Sequence, residues 1–110
     1  MITELGLIEI NKKFDKGVII NKSSLDFALS YTKNTKDWIK QVSFLLRALL
    51  VDHIFQEGNK RTGAALLLYY FEMHKVGYDT YKVNKVVAEI ASKNISSVEQ
   101  IRRKLKDVIR

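Results

Sequence analysis

Three observations predict an all-α fold. The 110 residues include no proline and only five glycines, so signals that break helices are few. Apolar residues recur at intervals of three and four along most of the chain. Two apolar runs, "FLLRALLV" and "AALLLYYF", flank a polar loop and read as two long helices. Together these point to one compact bundle of about six helices over residues 1–110, with one short β-hairpin.

Each element has its own signal. Residues 2–13 read as a helix, since Ile2, Leu5 or Gly6, Ile10 and then Phe14 keep a rough spacing of three to four. Gly17 interrupts this pattern, and the β-branched cluster in "FDKGVII" predicts a short strand or hairpin near residues 14–21. Ser23 or Ser24 is a candidate cap for a helix to about Tyr31, with Leu25, Ala28 and Leu29 facing inward. Thr35 is the candidate cap of a long helix from about Lys36 to Phe55. Trp38, Val42, Leu45 and Leu49 form one face of it, and His53 is the next position on that face. A second long helix is expected from about Lys60 to Val76, ended by Gly77 at C′. It is apolar on every side over residues 63–71, so neighbours should surround it. Val83, Val86, Val87 and Ile90 mark a shorter helix. "SSVE" then opens the last helix, whose stripe is Val98, Ile101, Leu105 and Val108.

Composition narrows the function classes. With no cysteine there is neither a disulfide framework nor a thiolate metal site. The start, "MITELGLIEINKK", lacks the basic segment and long apolar core of a secretory signal. "TGAALLLYYF" is about half of the roughly 20 residues a membrane span needs. A soluble cytoplasmic protein with no membrane contact is the expectation. The net charge of +7 suits an anionic partner. The basic C-terminal "IRRKLKDVIR" reads better as a surface helix than as a nucleic-acid contact. His74 reads as a solvent-side residue near a helix end, and Tyr69, Tyr70 and Phe71 as packing residues.

The segment "HIFQEGNKRTG", His53 to Gly63, concentrates chemistry between the two long helices. A helix beginning after "EGN" offers unpaired N–H groups and a positive dipole end to an anion. Gly58 allows a sharp turn and close approach of a ligand. Asn59, Lys60 and Arg61 add donors, and an Arg fork matches phosphate oxygens. Glu57 supplies the hard carboxylate oxygen that a phosphate-bound Mg²⁺ takes from a protein. Histidine ordinarily titrates near neutrality, which suits His53 to take a proton from a hydroxyl. Spacing alone leaves a second reading open, in which His53 caps or packs and "GNKR" merely connects two helices.

The same segment resembles the signature of the Fic/Doc (Fido) family, H-x-F-x-(D/E)-(G/A)-N-(G/K)-R-x-x-R. His53, Phe55, Glu57, Gly58, Asn59, Lys60 and Arg61 match it, seven defined positions within nine residues. "KGVIINKSSLDFAL" is similar to the flap hairpin and the helix that precede this motif, and the resemblance spans roughly residues 5–92. It implies a transferase that uses ATP and Mg²⁺ to modify a Ser, Thr or Tyr hydroxyl of a target protein. By that resemblance His53 is the general base, Phe55 anchors the loop, and Glu57 holds Mg²⁺. Gly58, Asn59, Lys60 and Arg61 bind phosphates. Lys16, Gly17, Val18, Ile19 and Ile20 form a flap that pairs with the target as an added strand.

One position departs: where the signature ends in Arg, this chain has Ala64. With Lys60 in place of the usual glycine, "NKRTG" looks more like the Doc (death-on-curing) branch. Those proteins transfer the terminal phosphate, act as toxins on a translation factor and are neutralised by a separate antitoxin. AMP transfer (AMPylation) is the alternative, with Arg47 or Arg102 as substitutes for the missing Arg. A catalytically silent Fic-fold module that holds nucleotide or a partner is a further one. The inhibitory pattern (S/T)-x-x-x-E-(G/N) does not occur in these residues: Glu57 alone among the glutamates precedes Gly or Asn, and His53 stands four positions before it.

Overall fold

A computed structural model describes residues 2–110. Its six helices are α1 (Glu4–Asn11), α2 (Lys22–Thr32), α3 (Trp38–Leu50), α4 (Asn59–Met73), α5 (Thr80–Ser92) and α6 (Val98–Lys106). The all-α prediction therefore holds, and the Cα radius of gyration is 12.5 Å. No helix is long and apolar enough to cross a membrane.

The central element is α3. It packs against α2, α4, α5 and α6. Val42, Phe44, Leu45, Leu46, Ala48, Leu49 and Leu50 are all buried, covering most of its circumference. The sequence pattern had assigned that position to α4. Instead α4 buries a stripe at Thr62, Gly63, Leu66, Leu67, Tyr70 and Phe71, while Tyr69 and Met73 are exposed. Its unbroken apolar run overstated its burial. Gly63 lets α4 approach α3 closely, since a Cβ there would lie 3.3 Å from both Leu46 and Leu50.

Capping groups move several boundaries. α2 is capped by Asn21, whose Oδ1 accepts from the Ser24 N–H, rather than by Ser23 or Ser24. α3 is capped by Asp37, whose Oδ1 accepts from the N–H groups of Ile39 and Lys40, both at 3.1 Å. Thr35 instead accepts from the Asp37 N–H. α3 ends at Leu50: Val51 N–H still makes an i→i−4 bond to the Arg47 carbonyl, but Asp52 N–H turns back to that same carbonyl instead of continuing the pattern. His53 then takes φ 52°, so it leaves the helix face assigned to it. α4 ends at Met73, and Lys75 at φ 56°, rather than Gly77, occupies the left-handed position. Val76 N–H closes that turn onto Phe71 O. Gly77 instead accepts from the Arg110 N–H through its carbonyl. Ser97 caps α6 by accepting from Gln100 N–H.

His74 lies at the exposed end of α4 and stacks on Trp38, with ring centroids 4.4 Å apart. α6 buries Ile101 and Leu105. Of its cations, Lys104 pairs with Glu89, and Arg102 reaches across to Asp37 at 2.7 Å.

The expected flap hairpin is absent from the described residues. The segment 18–20 is extended, but its antiparallel partner is the loop after α3. Ile19 bridges Phe55, Ile20 N–H donates to Ile54 O, and Gln56 N–H donates to Val18 O. The turn before it closes without a second strand. Phe14 and Asp15 donate to the Asn11 carbonyl, and Gly17, at φ 72°, donates to the Asn11 side chain.

Asp37 links the α3 cap to α6. Burial works to raise its carboxyl, but the N–H of Lys40, the Arg102 guanidinium and the N–H of Ile39 outweigh this. They hold it below its ordinary value of 3.8. Asp37→Ala should lower stability at neutral pH by about 1–2 kcal/mol. A carboxyl lowered by folding contributes fully above its unfolded pKa, and that contribution is lost as pH falls through the folded one. The urea midpoints of wild type and variant should therefore converge only in strongly acidic solution. Equal midpoints at pH 7 would show that the cap and ion pair contribute nothing.

Candidate functional site

The loop between α3 and α4 is built around Asn59. This residue is buried, and its side chain closes a ring on the backbone of Phe55. Oδ1 accepts from Phe55 N–H at 3.1 Å, and Nδ2 donates to Phe55 O at 2.9 Å. Phe55 itself is fully buried in the core and paired with Ile19. The chain from residue 55 to residue 59 is thus held as a fixed arch. Both polar atoms of the Asn59 side chain are committed to it, so what Asn59 presents outward is its backbone.

Gly58 occupies the left-handed region at φ 77° and forms the N-cap of α4 without a side-chain cap. The first intrahelical bond runs from Thr62 N–H to Gly58 O. The amides of Asn59, Lys60 and Arg61 precede it and face the helix N-terminus, where unpaired N–H groups and the dipole favour an anion. Lys60 and Arg61 are both exposed in this first turn. Two cations at the positive end of a helix cost stability until an anion neutralises them.

These residues line a cleft of about 640 Å³. One wall is the turn after α1, with Phe14 and Asp15. Leu50, His53, the run from Gln56 to Arg61, and Ala91 line the rest of it, with Asp15 set directly against Gly58. The arrangement brings together six of the sequence-predicted site residues: His53, Glu57, Gly58, Asn59, Lys60 and Arg61. Phe55 lies beneath them. Lys16 to Ile20 do not line the cleft; residues 18–20 run beside the loop at 54–56, with Val18 and Ile20 exposed. The backbone groups of Val18 and Ile20 bond the loop, so those of Ile19 point to the opposite, unpaired edge.

The two proposed substitutes for the missing Arg are elsewhere. The Arg47 guanidinium lies over the rings of Phe27 and Phe44, 5.5 and 5.4 Å from their centroids. Arg102 is held by Asp37. Lys60 and Arg61 are the cations that line the cleft.

The donor set of the cleft fits a hard cation only as part of a shared shell. Glu57 and Asp15 supply carboxylates. Among the described residues there is no group of three or more metal-ligating side chains. Mg²⁺ usually takes one or two carboxylates and completes its shell with substrate phosphate and water, which suits this pair.

Sequence reasoning missed Asn11. Its fully buried side chain donates through Nδ2 to Glu57 O at 2.9 Å and to Thr62 Oγ1 at 3.1 Å, and accepts Gly17 N–H at 2.8 Å. One signal was present: Asn11 follows Leu7 by four residues on the buried face of α1, where an amide needs a reason. Asp15 and Asn21 were missed too. Asn21 donates to the Asp52 carbonyl and so fixes the chain just before His53.

A family model described as Fic/DOC family matches residues 20–71, from Ile20 through the arch to Phe71 in α4. No curated protein matches the chain.

Gly58→Ala tests the arch. A Cβ there would lie 3.1 Å from Asn11 Nδ2 and 3.4 Å from Asp15 Cβ, at a φ that side chains disfavour. A loss of about 1–3 kcal/mol is expected, measured by urea denaturation. A variant as stable as wild type would mean that the loop relaxes and that the left-handed turn is not required.

Proposed function

We propose, from the match of the Fic/DOC family model to residues 20–71, that the chain is a Fic/Doc-type enzyme that transfers the terminal phosphate of ATP to a hydroxyl of a target protein. One observation carries the reading. The general-base candidate, the carboxylate and the cationic helix N-terminus all line one cleft beside an unpaired backbone edge. The family assignment supports a Fic/Doc-type transferase; phosphate rather than AMP transfer is our own choice.

The phosphate chain of ATP lies on the amides of Asn59, Lys60 and Arg61, with the Arg61 fork and the Lys60 ammonium on its oxygens. Gly58 keeps that approach open. Glu57, with Asp15 beside Gly58, would hold Mg²⁺, which when bound would neutralise phosphate charge. The target segment adds to the outer edge of residues 18–20 as a strand, which brings its Ser, Thr or Tyr hydroxyl to the cleft. His53 takes the hydroxyl proton as the oxygen attacks the γ-phosphorus. The bond from that phosphorus to the β,γ-bridging oxygen breaks, and ADP leaves with the electron pair. Little covalent chemistry is asked of the protein, and positioning and charge do most of the work.

Ala64 favours the terminal phosphate. In the AMP-transferring proteins that the motif resembles, a second Arg one turn beyond the first holds the nucleotide with its α-phosphate toward the hydroxyl, and the methyl group of Ala64 cannot. Arg47 and Arg102, engaged elsewhere, leave that place unfilled. Restraint by a separate antitoxin-like protein belongs to the same reading, and a translation factor is the target class.

Parallel reactions in cell lysate with ATP labelled at the α- or γ-phosphate test this. Label on a protein band from the γ-position alone is expected, and label from the α-position alone would establish AMP transfer instead. His53→Ala should lower transfer by about 10²–10⁴-fold while circular dichroism stays unchanged. Near-normal transfer by the folded variant would remove His53 from the mechanism.

A further inference from the structure

We infer that Asn11 is a positioning residue that fixes the phosphate cradle and the root of the flap as one unit. The inference rests on the reading of the cleft as a nucleotide site, but its geometry is independent of the nucleotide. A primary amide has two N–H donors and one carbonyl acceptor. Here each donor and the acceptor serves a different segment. One N–H holds Glu57 O at 2.9 Å, the other holds Thr62 Oγ1 at 3.1 Å, and the carbonyl receives Gly17 N–H at 2.8 Å. The partners are 46, 51 and 6 residues away in sequence. The residue is fully buried, so no water substitutes for a lost partner.

The placement decides the role. Glu57 O belongs to the peptide that leads into Gly58, so the bond sets where the Glu57 carboxylate and the next amides point. Thr62 is the first residue of α4 with an intrahelical N–H bond, so the second contact sets the helix end against the arch. Gly17 precedes the extended segment 18–20, so the third sets the flap root. Asn11 touches no reacting atom and acts through Glu57 and the cradle amides. A leucine at this position would leave the three groups that Asn11 bonds without that partner. The amide is retained for direction rather than for burial.

Hydrogen exchange and nucleotide binding in Asn11→Ala test the assignment, with Ile101→Val in the α6 core as a control for general destabilisation. In the ligand-free protein, amides of residues 14–18 and 57–62 should exchange about tenfold faster in Asn11→Ala, beyond any change in α5 and α6. In Ile101→Val any change should be global. Should Asn11→Ala fail to fold, Thr62→Val removes one acceptor only and should give a smaller increase over the same residues. An increase spread evenly over the molecule would overturn the inference. By calorimetry, Mg²⁺·ATP should bind about tenfold more weakly to Asn11→Ala, the scale typical of residues that orient a metal ligand, and unchanged to Ile101→Val. Equal affinity of Asn11→Ala and wild type would also overturn it. If wild type itself binds no Mg²⁺·ATP, the nucleotide reading fails, and the exchange pattern alone decides the role of Asn11.

Discussion

The buried side chain of Asn11 is the constraint on which the site depends. α1, the turn before residues 18–20, the arch and α4 meet at this amide, which bonds one nearby segment and two that lie 46 and 51 residues away. Around it the core is conventional, with α3 buried on most sides and the other helices packed on it. The core fixes where α3 and α4 lie but not the path between them. That path is set by hydrogen bonds: Asn59 to both polar groups of the Phe55 backbone, Asn11 to the Glu57 carbonyl, and Asn21 to the Asp52 carbonyl. Three buried or half-buried asparagines hold a loop whose outward face is left free for a ligand.

That outward face is locally unfavourable in ways that agree with one another. His53 and Gly58 both sit at positive φ. Lys60 and Arg61 stand at the end of a helix that disfavours them, and no acidic residue occupies the first turn of α4. Each feature costs little, but together they describe a segment optimised for something other than the stability of the empty fold. A bound polyphosphate would relieve the charge part of this cost, which is why the cleft, rather than the basic α6, is the place to look for an anion. On α6, Arg102 and Lys104 already have carboxylate partners.

What could be read from the sequence was what is local. The six helices followed from spacing because α3, α5 and α6 each bury one clear stripe or more. The motif was legible because its residues are contiguous, so that a helix start, a glycine and two cations identify themselves without tertiary information. Boundaries were displaced where two capping candidates competed, as Thr35 did with Asp37, and where an ordinary Lys75 took the left-handed position expected of Gly77. The flap was misread for a tertiary reason. Residues 18–20 have strand character, yet their partner is the loop at 54–56, over thirty positions away. Asn11 and Asp15 escaped for the same reason, since only the fold brings the end of α1 against Gly58.

The central claim is that the first turn of α4, held by the arch, receives the phosphates of a nucleotide. Amide NMR spectra of nitrogen-labelled protein, titrated with a non-hydrolysable ATP analogue and Mg²⁺, test it most directly. The account predicts that the largest shifts fall on Gly58, Asn59, Lys60 and Arg61, with smaller ones on His53, Glu57 and Asp15, and that they shrink when Arg61 is replaced by alanine. Saturable shifts centred on α5 and α6, or no shifts at millimolar analogue, would contradict it.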